Sequence, residues 1–214
     1  CNVLAFLQKM EKKTAFIGKV GNDQFGKMLK ETIEEAGINA SNLIFDNQVN
    51  TTLAFVHTFE NGDRDFSFYR NPGADMMLTA AEINEETIKQ SKIFHFGTLS
   101  MTAEGVREAT KKAVKTAKEN GCLISFDPNL REPLWESLED AKEAMKYGIS
   151  ICDILKISDN EIEFLTGEKD IDKGVFAIIR EYGVPLVLAT MGRNGSKAYC
   201  GSALVSAPAY DNTN

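Results

Sequence analysis

The chain has 214 residues, 43% hydrophobic and 26% charged, with a net charge of −7. That is enough for one sizeable core, or one core with a small appendage. The acidic balance excludes phosphate-backbone binding as the main task, so no nucleic-acid partner is expected, and no apolar run could span a bilayer.

In chain order, Val3, Phe6, Leu7 and Met10 recur at helical spacing, so the sequence is expected to open inside a helix cut from a longer protein. Thr14–Val20 reads as a strand, Asp23 as an N-cap, and Phe25, Met28, Leu29, Ile33 and Ala36 as one helix face ending at Gly37. Two strand-like runs follow, Thr52–Phe59 and Asp65–Tyr69. The Glu60-Asn61-Gly62-Asp63 segment between them is a hairpin signal. An α/β rhythm then resumes. Strands are expected at 93–96, 122–126, 154–157, 186–190 and 197–200. Helices between them are lined by Val106–Ala117, Leu138–Met145, Ile162–Leu165 and Ile171–Tyr182. Such alternation predicts a mostly parallel sheet with helices on both faces. Cys1, Cys122, Cys152 and Cys200 form no CxxC pair and read as reduced, mostly buried thiols of a cytoplasmic protein. His57 and His95 are too few for a histidine-rich zinc site.

Four strand ends carry groups that could do chemistry. In an open α/β sheet, ligands bind at the carboxyl ends of the strands. The first, Gly18-Lys19-Val20-Gly21-Asn22-Asp23-Gln24-Phe25-Gly26, lacks both GxGxxG and the Walker GK[ST], so a tight capped turn is its better reading. The missing GxGxxG also argues against a nicotinamide-binding dehydrogenase domain. The second is Asp127-Pro128-Asn129-Leu130-Arg131, where Pro128 biases Asp127 towards an extended backbone. It is either a polar loop with its own ion pair or a binding edge. The third is Lys156-Ile157-Ser158-Asp159-Asn160-Glu161. Lys156 and Glu161 could bracket a metal–phosphate complex, but Ser158 and Glu161 equally spell a capping box. The fourth, Thr190-Met191-Gly192-Arg193-Asn194-Gly195, is either a hairpin turn or a backbone cradle for a nucleotide, with Arg193 near the phosphates.

Taken in this order, the four stretches resemble the ribokinase-like carbohydrate kinases, the PfkB family, and within it the fructokinase branch. Phe66-Ser67-Phe68-Tyr69-Arg70 with Ala74-Asp75 is similar to the lid segment of that branch. The resemblance runs over essentially the whole chain. It implies a ribokinase-like α/β fold: a core over 1–48 and 72–214, incomplete at both ends, with 49–71 forming the β-hairpin part of a small lid.

The resemblance further implies ATP- and Mg2+-dependent phosphoryl transfer to a sugar hydroxymethyl, with fructose going to fructose 6-phosphate. 2-Keto-3-deoxygluconate, ribose or a nucleoside are the alternative acceptors. It implies sugar contacts from Asn2, Arg70, Asn129 and Arg131. It implies nucleotide contacts from Lys156, Ser158, Thr190, Gly192, Arg193 and Gly195, and a magnesium-organising role for Glu161. It places the catalytic aspartate in a Gly-Ala-Gly-Asp motif after Asn214, so these residues alone are expected to be nearly inactive. A kinase-like protein that binds sugar without turnover is the rival reading. The alternating apolar residues Leu53, Phe55, Phe66 and Phe68 suggest a homodimer formed through the lid.

Overall fold

A computed structural model describes residues 1–59 and 64–210 of the chain. The expected Asn61-Gly62 turn lies outside them. Seven α-helices and ten strands are described: α1 Asn2–Lys9, β1 Ala15–Gly21, α2 Gln24–Glu35, β2 Asn39–Asp46, β3 Leu53–Thr58, β4 Arg64–Tyr69, α3 Glu85–Lys89, β5 Ile93–Gly97, α4 Glu104–Glu119, β6 Leu123–Asp127, α5 Leu138–Ile151, β7 Ile154–Ser158, α6 Asp159–Thr166, α7 Ile171–Tyr182, β8 Leu186–Thr190, β9 Ser196–Cys200 and β10 Ala203–Ala207. They gather into two compact units, Cys1–Thr87 with Ala103–Ala113, and Ile88–Thr102 with Val114–Asn214.

In the first unit, β1 and β2 form a parallel two-stranded sheet. Ile33, Ile38, Ala40 and Leu43 make its core, against which Leu4, Ala5, Phe16 and Val20 pack. Strand β2 was not expected. Asn39, Ser41, Asn42 and Asp46 dilute its apolar alternation, and pairing with β1 decides its conformation. The helical period of α2 is as expected, but its burial is not. Gly26 and Ile33 are buried, whereas Phe25, Met28 and Leu29 stay exposed.

Asp23 caps α2 through the Gly26 N–H at 2.8 Å and also accepts from the Thr51 N–H and hydroxyl. The Thr51 hydroxyl oxygen accepts in turn from the Gly21 N–H. The end of β1, the start of α2 and the approach to β3 are thereby tied at one carboxylate.

Strands β3 and β4 form a separate antiparallel ribbon. Residues directly opposite share a face. The register therefore sets Phe55 with Ser67 and Tyr69 with Leu53 on one face. Phe66 and Phe68 stand opposite Val56 and Ala54 on the other.

The second unit is a six-stranded sheet in the order β10-β9-β8-β7-β6-β5, with β5 to β8 parallel and β9 and β10 antiparallel at one edge. Strand β10, wholly exposed, was also absent from the sequence reading. Side chains alternate with period two. Ile124, Phe126, Leu155, Ile157, Val187 and Ala189 are buried, while Ser125, Asp127, Lys156, Ser158, Leu188 and Thr190 are half-buried on the other face. Helix α5 covers the apolar face, since a side chain at Gly148 would run into the Phe126 ring. Helix α7 covers it too, where Asp172 accepts from Lys197 Nζ at 2.7 Å and from the Tyr199 hydroxyl. Helices α6 and α7 stop at Gly167 and Gly183, as the sequence predicts. Cys122 and Cys152 are buried, but Cys1 and Cys200 are exposed, fewer buried thiols than expected.

Candidate active site

The polar face of the second unit ends in a row. Pairing sets Gly97 opposite Asp127 and Ser158 opposite Thr190, so the C-terminal ends of β5 to β8 lie side by side. The loop after β6 is tightly held. Asp127 Oδ1 accepts from the Asn129 N–H at 3.1 Å, and Lys156 Nζ lies 3.3 Å from the same oxygen. The Pro128 carbonyl accepts from both the N–H and the hydroxyl of Thr98, at 3.2 and 2.6 Å. Asn129 has a positive φ of 45°. The Leu130 N–H donates to Glu161 Oε1 at 2.8 Å, and Arg131 Nη1 donates to the Leu130 carbonyl. Gly97 makes this packing feasible, because a Cβ there would sit 2.6 Å from the Asp127 carbonyl oxygen.

Glu161 joins this loop to the N-terminus of α6. Its second oxygen accepts from both the N–H and the hydroxyl of Ser158, each at 2.8 Å, and Ser158 caps the helix in return. The capping box read from the sequence is therefore present. It accounts for the Ser158 side chain and half of the Glu161 carboxylate. Glu161 is only 7% exposed. Burial lifts the Asp127 carboxyl above its ordinary range. The Lys156 ammonium opposes that rise and the Glu161 charge adds to it.

Beyond Thr190 the chain makes a short turn, Gly192–Asn194, closed by Met191 N–H to the Gly195 carbonyl at 2.9 Å. This turn joins the antiparallel strands β8 and β9, so the hairpin reading of the stretch holds locally. Gly195 is buried with φ +86°, where a side chain would meet the Ala207 carbonyl, while Arg193 is exposed. Beside the turn is a cleft of about 280 Å³ with Leu188, Ala198, Val205 and Ala207 on its floor and Lys156 and Thr190 in its lining. An apolar floor with a cation and a hydroxyl can take a flat ring bearing an anionic tail.

The structure thus brings Asn129, Arg131, Lys156, Ser158, Glu161 and Thr190 to one edge of one sheet. Asn2 and Arg70 belong to the first unit. Asn2 is exposed at the start of α1. Arg70 donates from Nε and Nη2 to Asp75 Oδ2, and the Thr52 hydroxyl donates to the other oxygen of that carboxylate. Lys19, in the first glycine-rich stretch, lies 2.7 Å from Glu82, 3.2 Å from Asp46 and 3.2 Å from the Met77 carbonyl. Burial alone would lower its pKa, but the hydrogen bonds and charges of Glu82 and Asp46 prevail and raise it. Its ammonium is a structural tie, in agreement with the plain turn reading. Thr98 escaped the sequence reading. Its only signal is a hydroxyl directly after an apolar strand.

Among the described residues, no group of three or more His, Cys, Asp or Glu is placed to hold a metal ion. With both Glu161 oxygens accepting from protein donors, the donor set does not form a cage. It fits a cation held chiefly by phosphate and water, the usual habit of magnesium.

A sequence profile of the pfkB family carbohydrate kinase matches residues 1–213. Fructokinase-2 of Solanum lycopersicum is 43% identical over 198 residues, which is 92% of this chain and 60% of that protein. The chain thus spans less than two thirds of the length of this relative. The crystal structure of a Xylella fastidiosa fructokinase superposes with a TM-score of 0.89 at 28% identity, covering 99% of this chain and 66% of that one. A Vibrio cholerae O395 fructokinase solved with fructose, ADP and calcium gives 0.88 at 28% identity, covering 97% and 66%. With its ribokinase-like fold and a family match over residues 1–213, the chain belongs to the pfkB family of carbohydrate kinases.

Proposed function

We propose that the protein is an ATP-dependent fructokinase, transferring the γ-phosphoryl of ATP to a fructose hydroxymethyl. The observation that carries this reading is the strand-end constellation of Asn129, Arg131, Lys156 and Glu161, on a chain 43% identical to a fructokinase. Phosphoryl transfer asks mainly for positioning and for stabilisation of charge on the transferred group. Asn129 offers an amide to sugar hydroxyls, and Arg131 offers a planar fork to the moving phosphoryl. The resemblance adds Asn2 and Arg70 as sugar contacts.

Lys156, Thr190 and the Gly192–Gly195 turn receive the nucleotide, with Arg193 and Ser158 near its phosphates. The likeness to a structure holding ADP and calcium supports a nucleotide with a divalent cation. Magnesium, when bound, neutralises phosphate charge, and Glu161 would reach it through water. We read Asp127 as the structural partner of Lys156 and of the Asn129 N–H, both on Oδ1, and not as the proton acceptor.

Residues 49–71 are read as the lid, with the α/β core on either side of them. The exposed Phe55–Tyr69 pair, rings 5.4 Å apart, is the face offered to a second subunit's lid. No helix among the described residues is long and apolar enough to cross a membrane.

ADP release by the complete protein with MgATP tests this directly. Fructose should be turned over faster than ribose, 2-keto-3-deoxygluconate or a nucleoside. Absence of ATP-dependent turnover with fructose would overturn the reading, and preference for a sugar acid would move Arg131 to its carboxylate.

A further inference from the structure

Asn129 is one of two non-glycine residues with positive φ among those described, and the peptide groups on both sides of it are anchored. On one side the Pro128 carbonyl takes two hydrogen bonds from Thr98. On the other the Leu130 N–H is held by Glu161. Both anchors are buried: Thr98 is fully inaccessible and Glu161 is 7% exposed, so water is poorly placed to substitute. Each comes from a different neighbouring strand end, Thr98 from the end of β5 and Glu161 from the first turn of α6. A free Asn in a loop favours extended backbone, and the left-handed region is held only where the surroundings over-determine it.

We infer that Thr98 and Glu161 are positioning residues that clamp Asn129 from both sides and so present it to the sugar. The sugar in this statement rests on the proposed fructokinase reading; the clamp does not. Glu161 acts here through the Leu130 amide, a role separate from any contact with a hydrated cation.

Residue-resolved amide exchange by NMR on the full chain, without metal or nucleotide, tests the clamp. Thr98→Val removes the hydroxyl at nearly constant volume and should speed exchange at Asn129 and Leu130 roughly fivefold. Thr98→Ser restores the hydroxyl and should restore slow exchange. Glu161→Gln cannot accept at both ends and should speed Leu130 on the order of tenfold or more. The amide of Ile178, buried in α7, should not change. Unchanged exchange at Leu130, or equal acceleration at Ile178, overturns the clamp.

Fructose titration by calorimetry, again without metal or nucleotide, tests positioning. Thr98→Val should bind about fivefold more weakly and Thr98→Ser as the parent. Parent-like affinity in a variant with fast exchange overturns positioning. Parent-like fructose affinity in Glu161→Gln overturns it as well. Should the unmutated protein bind no fructose, the sugar reading fails while the exchange data still decide the clamp.

Discussion

The loop after β6 and the β3–β4 ribbon are both polar-to-aromatic connections expected to touch sugar, and they are built in opposite ways. The loop is four residues long, 128–131. Its backbone is anchored by Thr98, Asp127 and Glu161, from the ends of two parallel strands and the first turn of α6. The ribbon has one partner strand for each strand and leaves Phe55 and Tyr69 at 53% and 68% exposure. A two-stranded ribbon is at best marginal by itself. The first design preorganises a geometry, and the second leaves surface for something else to cover.

The comparison breaks most visibly at Glu161. Glu161→Ala would leave the Leu130 and Ser158 amides without their buried acceptor, a loss of about 2–3 kcal/mol. Activity of the complete enzyme should fall at least about a hundredfold. Chemical denaturation and initial-rate assays check both; a variant with parent-like stability would show that the loop is not anchored this way.

Lys19→Met probes the first unit at a different tie and should lower the melting temperature by roughly 4–8 °C. The pH sign follows from its raised pKa. The tie's contribution is complete below the ordinary lysine value of 10.5 and is lost as pH rises through the higher folded value. Melting curves between pH 9 and 12 should show an alkaline loss in the parent that is smaller in Lys19→Met.

Asp127→Asn sharpens the contrast, because burial raises the Asp127 pKa. Its charge therefore costs stability as pH rises above the ordinary aspartate value through the folded one. The variant should melt no lower than the parent at pH 7 and should keep turnover within about tenfold, as expected of a group that is not the base. Abolished turnover with intact folding would return Asp127 to the catalytic role.

Phe55→Ser with Tyr69→Ser should change folding stability by less than about 1 kcal/mol. The double variant should still weaken self-association in sedimentation velocity. Unchanged association would remove the ribbon from the interface.

Much of the second unit was legible. The apolar runs ending at Asp127, Ser158 and Thr190 marked parallel strands, and Ser158-x-x-Glu161 announced the cap of α6. Strand β2 was not legible, since Asn39, Ser41 and Asn42 break its alternation and only pairing with β1 orders it. Nor was the fate of the α2 stripe, because periodicity identifies a helix face without saying what packs on it. At the site, Asn129 and Arg131 stood out by position. Thr98 did not, because its acceptor lies 30 residues along the chain.

By itself the sequence determined the α/β alternation, the capped strand ends and the family. The first two depend on residues within one or two turns of each other, and the family on four short stretches taken in order along the chain. Only the tertiary structure decided what those ends do together. It gave Lys19 to a structural tie, Asp127 to Lys156, and Glu161 to the Leu130 amide. Such contacts join groups about 30 to 60 residues apart, and they exist only once strand pairing has brought their backbones to hydrogen-bond distance.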